Sequence, residues 1–224
     1  MDLRTLASGI GSLSDDTRRE LYDYVVGRGE PVSREEAATS TGIRAHKANF
    51  HLDRLVAEGL LEVEYRRLTG RTGPGAGRPS KLYRRAEQEF SLSLPPRRYD
   101  LVGDILAASV TRASAGEPLD GALQESARDR GMETGRAASR HEQASIEDLT
   151  TALAGQGYEP SDEAGVVELH NCPFDALAGK HRALVCGLNE SYVQGVADGL
   201  GCTDADARLE PGEGRCCVRV HRRE

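Results

Sequence analysis

Residues 41–62 read TGIRAHKANFHLDRLVAEGLLE, and their pattern decides how the N-terminal part folds. Gly42 opens a tight turn, and Ile43 supplies an apolar side chain beneath it. A helix is predicted from about Arg44 to Glu58, with Gly59 as the stop. Ala48, Leu52, Leu55 and Val56 recur at helical spacing and form its buried face. Arg44, His46, Lys47 and Asn49 crowd the N-terminal half, away from Ala48 and Leu52.

Upstream of that stretch, Leu13, Thr17, Leu21, Tyr24 and Val25 form another apolar stripe, with Ser14 as the expected N-cap and Gly27 and Gly29 as the end. A short helix follows, with Ser33 as N-cap and Glu36 completing a capping box. Downstream, LLEVEYRRL (60–68) and KLYRR (81–85) read as strands. Between them TGRTGPGAGRPS (69–80) is too rich in Gly and Pro for regular structure. Residues 44–85 carry ten basic and four acidic side chains, a local basic stripe suited to nucleic acid.

Helix, turn, helix and then two strands joined by a basic glycine loop resemble the winged helix-turn-helix regulators. That resemblance makes 44–58 the recognition helix, whose N-terminal half enters the major groove of double-stranded operator DNA. Arg44, His46, Lys47 and Asn49 are then the base-reading candidates. His51 and Arg54 suit phosphate contacts, and Arg71, Arg78 and Lys81 belong to the wing. Such regulators bind as homodimers, and a helix from Tyr99 to Arg112 is either the dimerisation element or, by its apolar face, ordinary core.

SLPPRR (93–98) marks a boundary, giving a DNA-binding domain at 1–94 and a sensor domain at 95–224. Helices are predicted near 99–112, 119–140, 145–153 and 184–200, and a hairpin near 157–170. Two short strands, 207–209 and 215–221, close the chain around EPGEG. The fold class is α+β: a winged helix-turn-helix domain, then an α+β domain with a small antiparallel sheet.

The 224 residues carry 29 Lys+Arg and 36 Asp+Glu, a net charge of −7. That balance and 38% hydrophobic residues exclude a wholly disordered chain. No apolar run reaches the ~20 residues of a membrane helix. The N-terminus lacks a basic region followed by an apolar block, so a soluble cytoplasmic protein without a membrane partner is expected.

All five cysteines fall in the last 53 residues: Cys172, Cys186, Cys202, Cys216 and Cys217. An odd count in a reducing compartment argues for metal or redox chemistry over a disulfide framework. Zinc modules usually carry a close CxxC pair, and none exists here. Widely spaced thiolates that converge through the fold suit an iron–sulfur cluster. A cysteine-dependent enzyme needs a thiolate beside a base or in a CxxC. His170 near Cys172 is the one hint of that, and the chain is read as a regulator, not an enzyme.

HNCPF (170–174), VCGLNE (185–190) and RCCVRV (215–220), behind a winged helix with GRPSKLY (77–83), resemble the iron–sulfur repressor of the Suf cluster-assembly operon and its actinobacterial relatives. The resemblance implies a [4Fe-4S] or [2Fe-2S] cluster on Cys172, Cys186 and Cys216, whose loss alters DNA affinity. It also implies that the cluster orders the sensor domain and sets the separation of the two recognition helices. Cys216 is preferred to Cys217 because it shares strand parity with Val218 and Val220. Cys202 sits at a comparable gap in a weaker GLGC context. His170, Glu190 or Cys217 are the alternatives for a fourth ligand. The expected function is a repressor sensing redox or iron–sulfur status. The alternative is a winged-helix repressor with a zinc-binding or small-molecule-sensing domain.

Overall fold

The computed structural model describes residues 3–67, 79–140, 143–163, 165–212 and 214–223. The chain divides into two compact units, Met1–Leu92 and Ser93–Glu224. The expected wing residues Arg71 and Arg78 lie outside the described residues.

The first unit opens with a helix that the sequence reading missed, α1 (Leu3–Ser12). It is followed by α2 (Asp16–Arg28), β1 (Val32–Ser33), α3 (Arg34–Thr41), α4 (Ala45–Ala57), β2 (Leu61–Arg66) and β3 (Ser80–Arg85). The N-cap of α2 is Asp15, whose carboxylate accepts from the Arg18 amide at 2.9 Å. Ser14 instead donates back to the Gly11 carbonyl. Ser33 caps α3 by accepting from the Glu36 amide. The Glu36 carboxylate does not return the bond: it accepts from Tyr24 and pairs with Arg28. Gly42 takes φ 69°, the left-handed conformation that turns α3 into α4. The three strands form an antiparallel sheet in the order β1-β3-β2. Leu21, Val25, Ala37, Ala48, Leu52, Leu55, Leu61 and Tyr83 close the core.

The second unit contains α5 (Tyr99–Ser114), α6 (Leu119–Ala138), α7 (Ile146–Gly155), β4 (Pro160–Glu163), β5 (Val166–Leu169), α8 (Asp175–Ala178), α9 (Arg182–Leu200), β6 (Ala205–Leu209) and β7 (Val218–Arg222). Its antiparallel sheet has the order β4-β5-β7-β6. Val167, Leu169, Val218 and Val220 face a core shared with Leu149, Phe174, Tyr192 and Val196. α6 and α9 run side by side in the same direction with their backbones in contact. A Cβ added at Gly131 would lie 2.2 Å from the Tyr192 carbonyl oxygen, and one at Gly199 would lie 2.3 Å from that of Met132. Gly135 and Gly195 complete the seam. The close approach fixes α9, and α9 carries Cys186.

The strand predicted at 215–221 begins only at Val218. Cys216 and Cys217 occupy the bend before it, and Cys216 still shares the buried side with Val218 and Val220 while Cys217 is half-buried, as strand parity predicts.

Candidate nucleic-acid interface and cysteine centre

α4 packs on α2 and α3 through Ala48, His51, Leu52 and Leu55. Arg44, His46 and Lys47 stand exposed at its first turn. No side chain caps this end, so its first amides remain free to receive an anion such as a phosphate. Lys47 Nζ donates to Thr17 Oγ1 at 2.9 Å, and neither Arg44 nor Lys47 is ion-paired among the described residues.

The other predicted DNA contacts are placed differently. His51 is not a phosphate contact: it is 6% exposed, and its Nδ1 has no hydrogen-bond partner. Burial holds its pKa below the ordinary 6.5. Arg54 is engaged by Glu58 one turn on. Asn49 is half-buried and donates to Asp53 at 3.3 Å, so its amide already serves the protein. Lys81 donates to Asp53 at 2.5 Å, and Tyr83 donates to the same carboxylate oxygen at 2.9 Å. Asp53 thus ties α4 to β3. Burial raises its pKa, but the two donors outweigh that and hold the group ionised below its usual range.

In the second unit four cysteines approach one another in two pairs. Cys172 follows β5, Cys186 lies in the second turn of α9, and Cys216 and Cys217 precede β7. The Cys172 and Cys216 thiols interact directly, as do those of Cys186 and Cys217. Cys172 is near enough to Cys186 to raise its pKa. Cys202 is not in this group. Its thiol sits beyond the other end of α9 and donates to Asp204 at 3.4 Å. Burial, and then Asp204, push that thiol up to about 12. Cys217, one of the alternatives expected for the fourth position, stands with the predicted three, and Cys202 does not. His170 and Glu190 are also elsewhere. His170 Nε2 meets Ser161 Oγ at 2.7 Å and lies with Glu163 and Glu168. Glu190 accepts from the Leu209 amide.

The sulfurs border the hydrophobic core, and a few hydrogen-bonding groups reach them. Asn189 Nδ2 lies 3.1 Å from Cys216 Sγ, while its Oδ1 accepts from Tyr158 at 2.5 Å. The backbone amides of Phe174 and Val218 donate to Cys172 and Cys216 respectively, each two residues on. Arg97 Nη1 reaches Asn171 Oδ1 at 2.5 Å and the Cys172 carbonyl at 3.1 Å, pinning the loop. Hydrogen bonding to Cys216, opposed by burial and helped by the Phe174 amide, lowers the Cys172 pKa. The same contact and burial drive the Cys216 thiol upward. Burial, and then Cys217, raise Cys186 to about 12.

The donor set and its spacing bear on the kind of metal. Tetrahedral zinc, with sulfur at about 2.3 Å, needs sulfurs about 3.8 Å apart. No three cysteine sulfurs lie within 4.8 Å of one another, since the one such group among the described residues is Glu163, Glu168 and His170. Two contacting thiol pairs, with N–H donors aimed at two of the sulfurs, form an all-cysteine donor set of the kind that holds an iron–sulfur cluster or zinc.

Residues 13–64 match the family model described as a helix-turn-helix domain. They span α2 to β2, and the match supports a DNA-binding transcriptional regulator. Comparison with curated proteins and comparison with solved structures each find no match. Among the described residues no helix is long and apolar enough to cross a membrane.

Proposed function

We propose that this chain is a cytoplasmic, homodimeric transcription repressor of the Suf-operon type, with an iron–sulfur cluster on Cys172, Cys186, Cys216 and Cys217. The observation that carries the reading is the convergence of these four thiols from a strand end, a helix and one bend. When bound, the cluster supplies a one-electron, oxidant-sensitive group whose loss reports redox and iron–sulfur status. The remaining roles belong to the chain's own residues. Arg97 and Asn171 hold the Cys172 loop. Asn189 fixes Cys216 Sγ and is itself fixed by Tyr158. Cys172, Cys186, Cys216 and Cys217 would hold the cluster as thiolates, and the surroundings of Cys172 already hold its thiol below the ordinary value. Arg44, His46 and Lys47 meet DNA at the open end of α4. The exposed Tyr99 and Val110 on α5 support dimerisation through that helix. By linkage, DNA changes cluster affinity by the same factor as the cluster changes DNA affinity.

Anaerobic purification with iron and sulfide analysis tests the proposal. Wild type is expected to be coloured, with different DNA affinities before and after cluster removal. Serine at Cys172, Cys186, Cys216 or Cys217 should remove the colour and that difference, and Cys202→Ser should keep both. A colourless wild-type protein carrying zinc would replace this reading with the zinc alternative. A quadruple serine variant that keeps iron and redox-responsive DNA binding would end the cluster assignment.

A further inference from the structure

Phe50 lies in the middle of α4 and is 66% exposed. A single exposed apolar side chain is ordinary on a protein surface, so its position has to carry the argument. α4 buries Ala48, His51, Leu52 and Leu55. With 3.6 residues per turn the opposite stripe is His46, Phe50, Asp53 and Ala57. Phe50 is therefore at the centre of the face turned farthest from the core. The ring leans edge-on against His51, with centroids 5.3 Å apart and planes at 77°. His51 is itself buried, so Phe50 has a rigid prop on one side and open space on the other.

The charges around it narrow the occupant. Arg44, His46 and Lys47 are exposed one to two turns before Phe50, and none has a carboxylate partner among the described residues. A surface that joins an apolar ring to unpaired cations and an uncapped helix start is complementary to a polyanion with an apolar group in a recess. The major groove of DNA is such a surface. Phosphates line its rims, and the C5-methyl of thymine is the apolar feature on its floor.

We propose that Phe50 is a specificity-determining residue that packs against the C5-methyl of a thymine, so that the preferred duplex carries T·A at that step. The proposal rests on reading α4 as the recognition helix and adds a base to that reading. Arg and Lys at the first turn address guanine edges or phosphate, whereas Phe50 addresses the methyl group, and only T·A offers one in unmodified DNA.

The test places the change in the DNA. The full-length protein selects a duplex from a random library, and each thymine of that duplex is replaced singly by deoxyuridine, which lacks only the methyl. One position per half-site should weaken wild-type binding about fourfold, the value of one buried methyl. Phe50→Ala should bind the thymine duplex about fourfold or more weakly and be indifferent to the replacement. Phe50→Leu should keep a reduced preference. If no deoxyuridine position weakens wild type, or Phe50→Ala keeps the full preference, the proposal is overturned. A protein that selects a duplex and loses discrimination in Lys47→Ala but ignores the methyl refutes the Phe50 contact alone. A protein that selects no duplex refutes the recognition helix with it. Phe50→Ala that changes only the oligomeric state, with the methyl preference intact, makes the ring a protein contact and also overturns the proposal.

Discussion

Gly131→Ala puts the packing of the second unit to a quantitative test. In an isolated helix the change is favourable by about 0.8–1.0 kcal/mol, because alanine restricts the unfolded chain more than glycine does. In this fold the new Cβ would lie 2.2 Å from the Tyr192 carbonyl oxygen and 2.9 Å from Gly195 Cα and Val196 N. Carbon and carbonyl oxygen ordinarily approach to about 3.3 Å, so the seam has to open by roughly 1 Å. Both sides are helix backbone, and no rotamer can relieve the contact. Overpacking costs about 1–3 kcal/mol where side chains can adjust, and the upper end or beyond applies here. The net expectation is a loss of about 2 kcal/mol. Gly103→Ala is the internal control. It lies exposed within α5 with nothing within 4 Å of its added Cβ, so it should gain about 0.5–1 kcal/mol. Urea unfolding of the apo protein, followed by circular dichroism, reads both. Equal shifts in the two variants, or a Gly131→Ala protein as stable as wild type, would show that α6 and α9 are not in backbone contact.

The buried His51 makes the first unit acid-sensitive. Its folded pKa is depressed by burial, so the neutral ring contributes stability above the ordinary value of 6.5 that is lost as pH falls through that value towards the folded pKa. Thermal unfolding between pH 7.5 and 5 should show a decline that His51→Leu reduces; an unchanged decline would place the sensitive group elsewhere. Lys47→Ala should lose roughly 1–3 kcal/mol of discrimination between selected and scrambled duplexes in competition binding. Asn49→Ala should lose less, because its amide bonds to Asp53; equal losses would mean that Asn49 leaves Asp53 to read a base. Asn189→Ala leaves the buried Tyr158 hydroxyl unpartnered and should destabilise apo protein by about 1–3 kcal/mol. A double-mutant cycle with Tyr158→Phe should show positive coupling, and strict additivity would dissolve the pair.

The DNA-reading unit was legible because its signals are local. Ser33, Gly42 and Gly59 mark element ends through their own backbone preferences, and the α4 stripe repeats within four turns. What escaped notice depended on distant partners. α1 packs through Gly9, where a Cβ would meet the Phe90 ring at 2.4 Å, and nothing within 3–12 announces Phe90. The polar and basic pattern of 44–85 also includes side chains that the fold spends internally. Lys81 and Asn49 converge on Asp53 across 28 and 4 residues, and Arg54 on Glu58. Phe50 could have been found by continuing the helical period from the buried side to the opposite one.

At the cysteines the motifs located the loops, but strand parity alone does not reveal that the half-buried Cys217 meets Cys186. Strand parity puts Cys216 on the buried side with Val218 and Val220 and leaves Cys217 half-buried, and the structure keeps that alternation. The Cys216 amide donates to Leu169 and the Cys217 carbonyl accepts from Glu210 just ahead of the Val218–Leu209 pair, and Gly214 at φ 70° turns the chain before the two cysteines. In that bend adjacent thiols can serve one site from two directions: Cys216 towards Cys172, and Cys217 towards Cys186. Cys202 follows the helix-ending Gly201 at φ 83°, which turns it away towards Asp204. A gap of similar length therefore says little about convergence. The backbone just before the sulfur decides it, which is why adjacent Cys216 and Cys217 belong to the same centre while the evenly spaced Cys202 does not.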